Sequence, residues 1–249
     1  MNVTHAGLPT EKDLAQRRFA AAVAHELRTP LAGLRAEIEE ARLHPGETDL
    51  PRLLDAVLRG VARLEAITAD LFVLTQVADG GHVRRRPIDL SALARAHAAT
   101  PDTGPQIRLR AADEVIVDAV PTLLDRLVTN LLDNALRYAK CSIQIQVRRH
   151  GTTAELIVTD DGPGIPAADR ERVFESFARL DSARCRRRGG AGLGLAIARD
   201  IAHAHDGTLH VEGVTRGGAR FVLRLPATGH AELLGIPIAN HDHSSHGPT

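Results

Sequence analysis

Three groups of residues in this 249-residue sequence have the types and spacing for chemistry. The first is His25, with Glu26 beside it and Thr29 one helical turn further on. An imidazole titrates near pH ~6.5, so a neutral, nucleophilic nitrogen is available around neutrality. A neighbouring carboxylate can hold one ring nitrogen while the other attacks. The second group is Asn130 and Asn134, four residues apart and so on one helix face, followed by Arg137 and Tyr138. Amide oxygens suit Mg²⁺, which prefers oxygen ligands and shares them with phosphates and water. The third group is a pair of glycine-rich segments. In DDGPGIP (160–166), Asp160 can accept a hydrogen bond from an exocyclic amine such as that of adenine. Gly162 and Gly164 let the backbone turn close to a ligand. GGAGLGL (189–195) runs directly into a helical pattern, whose N-terminus attracts phosphate. The sequence contains no GxxxxGK[ST], which excludes a P-loop. Taken singly, each group has a bland reading as a surface histidine, solvated amides or a turn. Their order along the chain carries the argument.

The elements that must position these residues follow from hydrophobic period. Phe19, Val23, Leu27, Leu31, Leu34 and Ile38 recur every three or four positions and predict a helix over 11–44. His25 lies two residues from Val23 and from Leu27, about 200° around the wheel, and so points to solvent. Pro30 cannot donate to the Glu26 carbonyl, which predicts a bend just past the histidine. His44, Pro45 and Gly46 end this helix, and Thr48 and Asp49 can cap a second one over 50–78. A short loop makes the two an antiparallel hairpin. One hairpin cannot bury two apolar stripes, so a homodimeric four-helix bundle is expected.

DGGHVRRRP (79–87) reads as a linker. Beyond it the pattern mixes short helices (90–96, 121–139, 167–177, 194–205) with strands (106–110, 114–118, 142–148, 154–160, 208–212, 219–225). The strands at 142–148 and 154–160 alternate as a hairpin does. Such an order implies an α/β sandwich with one helical face. The predicted organisation is therefore a hairpin domain at 11–78, a linker at 79–87, a second domain at 88–226 and a disordered tail at 227–249. His241, His243 and His246 in that tail lack an ordered scaffold for a metal.

Composition narrows the classes. Basic and acidic residues balance at 31 each, so there is no electrostatic footprint for nucleic acid. Two cysteines are too few for a disulfide framework and indicate a reducing compartment. No apolar run approaches the roughly 18 residues of a membrane span, and the first residues lack a signal peptide. The expected location is cytoplasmic, either as a free protein or as the cytoplasmic part of a membrane-associated sensor. Any sensory input then comes from a partner or from an N-terminal region outside this sequence.

Together the motifs resemble those of bacterial two-component sensor histidine kinases. FAAAVAHELRTPLAGL (19–34) resembles the H box, NLLDNALRYA (130–139) the N box and DDGPGIP the first glycine box. VFESFARLD (173–181) resembles the F box and GGAGLGLAIA (189–198) the second glycine box. The resemblance covers residues 15–226. It implies a dimerisation and phosphotransfer hairpin followed by a Bergerat-type ATP-binding domain that uses ATP and Mg²⁺. It further implies that His25 is phosphorylated, Glu26 orients or deprotonates it, and Thr29 orients water for dephosphorylating the partner. Asn134 would ligate Mg²⁺ with Asn130 assisting, Arg137 would touch phosphate, and Tyr138 would pack near adenine. Asp160 would bind the adenine amine in a pocket shaped by Gly162 and Gly164. Phe174 and Phe177 would anchor a lid, Arg179 would reach the γ-phosphate, and Gly190, Gly192 and Gly194 would line the phosphates. The implied partners are a second copy of the chain and the receiver domain of a response regulator. Ala191 departs from the family, standing where many relatives carry threonine, which removes a side-chain phosphate contact. The basic run RCRRR (184–188) falls in the lid.

Overall fold

The computed structural model describes residues 11–78, 84–98, 104–178, 192–214 and 217–228. The chain divides into two compact units, one formed by 1–79 with 172–197 and the other by 80–171 with 198–249.

The first unit is built on the expected hairpin. Helix α1 spans Glu11–Leu43 and passes through Pro30 without a break, and α2 spans Leu50–Ala78. The loop between them divides the capping work differently from the sequence reading. Asp49 Oδ1 accepts from the Arg52 amide at 3.3 Å and caps α2. Thr48, expected beside it as a cap, instead donates its hydroxyl to the His44 carbonyl at 2.8 Å and closes the end of α1. The helices meet closely where Leu34 lies against Gly60: a Cβ at that glycine would sit 2.5 Å from Leu34 Cδ2. Leu31, Ile38, Leu54, Leu58 and Phe72 stay at least half exposed.

The second unit holds a two-stranded and a five-stranded sheet. The small one pairs β1 (Arg86–Asp89) antiparallel with β3 (Ile116–Ala119). The larger contains β2 (Gln106–Ala111), β4 (Ser142–His150), β5 (Thr153–Asp160), β6 (Thr208–Gly213) and β7 (Ala219–Pro226). Their order is β2-β4-β5-β7-β6, with β2–β4 parallel and the other pairs antiparallel. Alternation sends Ile143, Ile145 and Val147 of β4 to the same face as Val158 and Leu156 of β5 and Phe221 and Leu223 of β7. All seven are buried, together with Leu124, Leu127 and Leu131 of helix α4 (Pro121–Tyr138). Each such side chain contributes about 1.5–3 kcal/mol on leaving water. Helix α3 (Leu90–His97) packs against β2, β4 and α4, and α4 packs against β5. Helix α5 (Gly194–Ala204) begins within the second glycine box.

Three predicted elements differ. The helix expected over 167–177 is two single 3₁₀ turns, Ala167–Asp169 and Arg172–Phe174. Its apolar residues are bunched at Val173, Phe174 and Phe177, so residues 167–172 have no stripe to bury and nothing beyond local bonds to hold a longer helix. The strand expected from Glu114 begins at Ile116, because Glu114 takes a positive φ of 36° and the Val115 amide donates to Asp89 Oδ1 at 3.1 Å. Strand β1 starts inside the predicted linker, and Arg85 just before it pairs with Asp206 Oδ2 at 2.8 Å. The predicted tail, apart from its first residues, lies outside the described residues.

Candidate functional site

On the hairpin, α1 presents His25 exposed, as its place opposite the apolar stripe requires. Glu26 beside it is turned toward the second helix. Its side chain is only 15% exposed and its Oε2 lies 3.6 Å from Nη2 of Arg63 on α2. Neither that oxygen nor Arg63 Nε has a hydrogen-bond partner. The carboxylate is thus held against the second helix by charge rather than by directed bonds. Arg63 carries no motif and the sequence gives no signal for it. Thr29 donates its hydroxyl to the His25 carbonyl at 3.1 Å. With its proton committed to the backbone, its oxygen still has lone pairs that accept from water.

In the second unit, α4 is positioned by Pro121 in its first turn and by buried Leu123, Leu124, Leu127, Val128, Leu131, Leu132 and Ala135. Asn130 rides at the edge of this stripe, 7% exposed, and Asn134 is half-buried one turn later. The Asn130 amide nitrogen is buried without a partner. A buried polar atom of that kind calls for a ligand or water. As placed it suits a phosphate oxygen; with the amide turned over, its oxygen suits a cation. Arg137 and Tyr138 close the helix, both half-buried.

Strand β5 delivers Asp160 into this unit, 4% exposed. Asp160 Oδ1 accepts from the amides of Gly162 at 2.8 Å and Ala219 at 3.3 Å. Both bonds fall on one oxygen, which leaves Oδ2 to a ligand donor. Burial pushes the Asp160 carboxyl above its ordinary value; the two amides oppose this and the adjacent Asp161 adds to it. Gly162 is required by proximity: a Cβ there would lie 2.5 Å from the Tyr138 carbonyl and 2.7 Å from Asp160 Oδ1. Gly164 has φ +76° and faces Gly218 across the turn. The Ala219 amide that reaches Asp160 has no signal in the sequence beyond its place at the start of a predicted strand.

In the first unit, Phe174 is buried. Phe177 adopts a positive φ of 66° and donates its amide to the Gly192 carbonyl at 2.9 Å. Gly192 has φ +73°, and a Cβ on it would meet the Phe177 backbone at 3.0 Å. Gly194 opens α5. Two left-handed residues clasped by one hydrogen bond mark a backbone that its surroundings over-determine. The structure thus brings Asn130, Asn134, Arg137, Tyr138, Asp160, Gly162 and Gly164 into one unit and His25, Glu26, Thr29, Phe174, Phe177, Gly192 and Gly194 into the other. Arg179, Gly190, Ala191 and the basic run at 184–188 lie outside the described residues. No helix among the described residues is long and apolar enough to cross a membrane.

Comparison with known proteins also separates the hairpin from the α/β portion, but it draws the boundary elsewhere, keeping residues 172–197 with the α/β portion. Residues 15–80 match the His Kinase A (phospho-acceptor) domain. Residues 119–229 match the histidine kinase-, DNA gyrase B- and HSP90-like ATPase domain. The sensor protein RstB of Escherichia coli (strain K12) is 37% identical over 220 residues, 85% of this chain and 49% of its own. The probable sensor histidine kinase TcrY of Mycobacterium tuberculosis is 36% identical over 229 residues, 89% of this chain and 48% of its own. The chain spans about half the length of these curated relatives. Among solved structures, the Acinetobacter baumannii histidine kinase AdeS aligns with a TM-score of 0.65 and 21% identity over 82% of this chain and 98% of that one. Full-length ShkA in complex with AMPPNP aligns with a TM-score of 0.60 and 24% identity over 84% of this chain and 45% of that one. At these identities the structural likeness is one of fold. With a phospho-acceptor hairpin and an ATPase-type α/β domain in that order, the chain belongs to the two-component sensor histidine kinases.

Proposed function

We propose that this chain phosphorylates itself on His25 with ATP and passes the phosphoryl group to an aspartate on the receiver domain of a response regulator. The observation that carries the reading is the pairing of functions in one chain. An exposed imidazole sits beside a restrained carboxylate on a hairpin. A separate unit offers Asp160 with an open oxygen and Asn130 with an orphaned amide nitrogen. Asp160 Oδ2 would accept from the adenine amine. Asn134, with Asn130, would hold Mg²⁺, which when bound supplies positive charge to the phosphates. A nitrogen of His25 would form the N–P bond as the bond from the γ-phosphorus to its bridging oxygen breaks and ADP departs. Glu26 would orient the ring or take its proton. Most of the protein's contribution is placement and charge.

The exposed leucines, Ile38 and Phe72 of the hairpin support a homodimer, since pairing two hairpins would cover them. The linker predicted over 79–87 would serve as the hinge. The Thr29 oxygen could orient a water against the regulator's phospho-aspartate, so regulator phosphatase activity accompanies the kinase in this reading. A cytoplasmic location follows from the need for ATP and a regulator.

The test is incubation with γ-labelled ATP and Mg²⁺. Label that is acid-labile and base-stable is expected on the parent and absent from His25→Gln, which still binds ATP. Persistent label on His25→Gln would refute the assignment.

A further inference from the structure

We propose that Asp161 is a positioning residue of the nucleotide site: its carboxylate fixes the Asp160 loop to the end of the helix that carries Asn130 and Asn134. The inference rests on reading this unit as the ATP-binding one. It adds a residue that no motif assigns a task.

Asp161 Oδ1 accepts from the backbone amides of Lys140 at 2.8 Å and Cys141 at 3.1 Å. Its Oδ2 accepts from the amides of Cys141 at 3.1 Å and Ser142 at 3.0 Å, and from the Ser142 hydroxyl at 3.2 Å. One carboxylate thus gathers three consecutive peptide N–H groups where the chain passes from α4 into β4. Such charge-assisted bonds are roughly twice as strong as neutral ones. The Lys140 and Cys141 amides lie between the helix and the sheet, and Ser142 opens β4, so the carboxylate satisfies N–H groups that the helix no longer serves. These bonds tie the segment after β5 to the segment after α4.

The next residue shows how little slack remains. Gly162 approaches the Tyr138 carbonyl so closely that one added carbon would lie 2.5 Å from it. Asp160, on the other side of Asp161, turns its Oδ1 to Gly162 and Ala219. The place of its open Oδ2 relative to α4 is then set by the Asp161 bonds on one side and by the Gly162 contact on the other. The two neighbouring carboxyls are driven apart in character. Burial lifts that of Asp160, while the amides of Cys141, Ser142 and Lys140 outweigh desolvation and hold that of Asp161 low. Asp161 stays a charged anchor; Asp160 faces the ligand.

Anchoring one end of the ligand relative to the other acts on nucleotide affinity, not on the reacting nitrogen. Asp161→Ala should weaken binding of a fluorescent ATP analogue about tenfold, the loss from removing hydrogen bonds to a charged group. It should raise KM for ATP by a similar factor and leave kcat at saturating ATP within about twofold of the parent. Asp161→Asn keeps one acceptor oxygen and should recover about half of the lost affinity on a logarithmic scale. It also serves as the measurable variant if the alanine protein does not fold. Unchanged affinity in a folded Asp161 variant, or a fall in kcat with KM unchanged, would overturn the proposal. A parent protein that fails to bind the analogue would instead overturn the ATP reading beneath it.

Discussion

His205 should make the second unit lose stability as pH falls below ~6.5, and a single substitution should remove that loss. The ring is 3% exposed. Its Nδ1 lies 2.7 Å from the Ile201 carbonyl, and its Nε2 lies 3.0 Å from the Val120 amide. A carbonyl can only accept and an amide can only donate, so Nδ1 carries the proton and Nε2 the lone pair. A second proton would set two donors face to face. Val120 is the N-cap residue of α4, which links the ring to the helix of the N box. The charged groups around it divide: Arg85 disfavours protonation, Asp206 and Asp118 favour it, and burial, the largest cause, sets the direction downward. The unfolded chain therefore takes up a proton that the folded chain refuses. Between the ordinary histidine value and the lowered folded value, folding stability falls by about 1.4 kcal/mol per pH unit. His205→Leu removes this term and orphans the Val120 amide at a cost of about 1–3 kcal/mol. Tyr138 is the only tyrosine and there is no tryptophan, so tyrosine emission reports on α4 alone. Urea unfolding followed at Tyr138 at several pH values should show the gap between parent and variant shrinking as pH falls. Parallel stability curves across that range would refute the neutral-ring argument.

Three further outcomes follow from close contacts. Gly60→Ala gains about 1 kcal/mol of helix propensity, yet should lower hairpin melting because the new Cβ meets Leu34, an overpacking cost of about 1–3 kcal/mol; adding Leu34→Ala should make the pair non-additive in a double-mutant cycle. Glu155→Gln should destabilise the sheet by about 1–3 kcal/mol, less than a fully buried pair, because Arg148 and Arg224 are themselves half exposed. Desolvation raises the Glu155 carboxyl, but the two arginines outweigh it and hold it below its ordinary value; its contribution is therefore full above the unfolded value and lost in acid as pH drops through the folded one, a slope the glutamine variant should lack in acid unfolding. Gly192→Ala at φ +73° should cost about 1–3 kcal/mol of local strain and weaken nucleotide binding measured by titration, with the Asp160 unit still folded.

The elements legible in the sequence were those with a long apolar period or a clean alternation. Helices α1, α2 and α4 each repeat hydrophobic positions over many turns, and β4 alternates Ile143, Ile145 and Val147 against Gln144 and Gln146. Strand β1 was not legible because Ile88 is the only strongly apolar residue in its four, and its pairing to β3 is written in the partner rather than in itself. The failed helix at 167–177 shows the converse: good helix formers without a stripe to bury yield isolated turns.

The site divides the same way. His25, Asn130, Asn134 and Asp160 are legible because chemistry restricts their residue types and chain order groups them. Arg63, Asp161 and Ala219 act through position instead. Arg63 meets Glu26 only because the hairpin folds back, and a lone arginine on a polar helix face has no local signature. Ala219 contributes a backbone amide, which any residue but proline could supply. Asp161 stands in plain view beside Asp160, yet two adjacent acids read alike until their partners are known. One lies buried with an open oxygen; the other is saturated by three amides and a hydroxyl from a segment twenty residues upstream. Spacing identifies the residues that could touch a ligand, and tertiary contact identifies those that keep them in place.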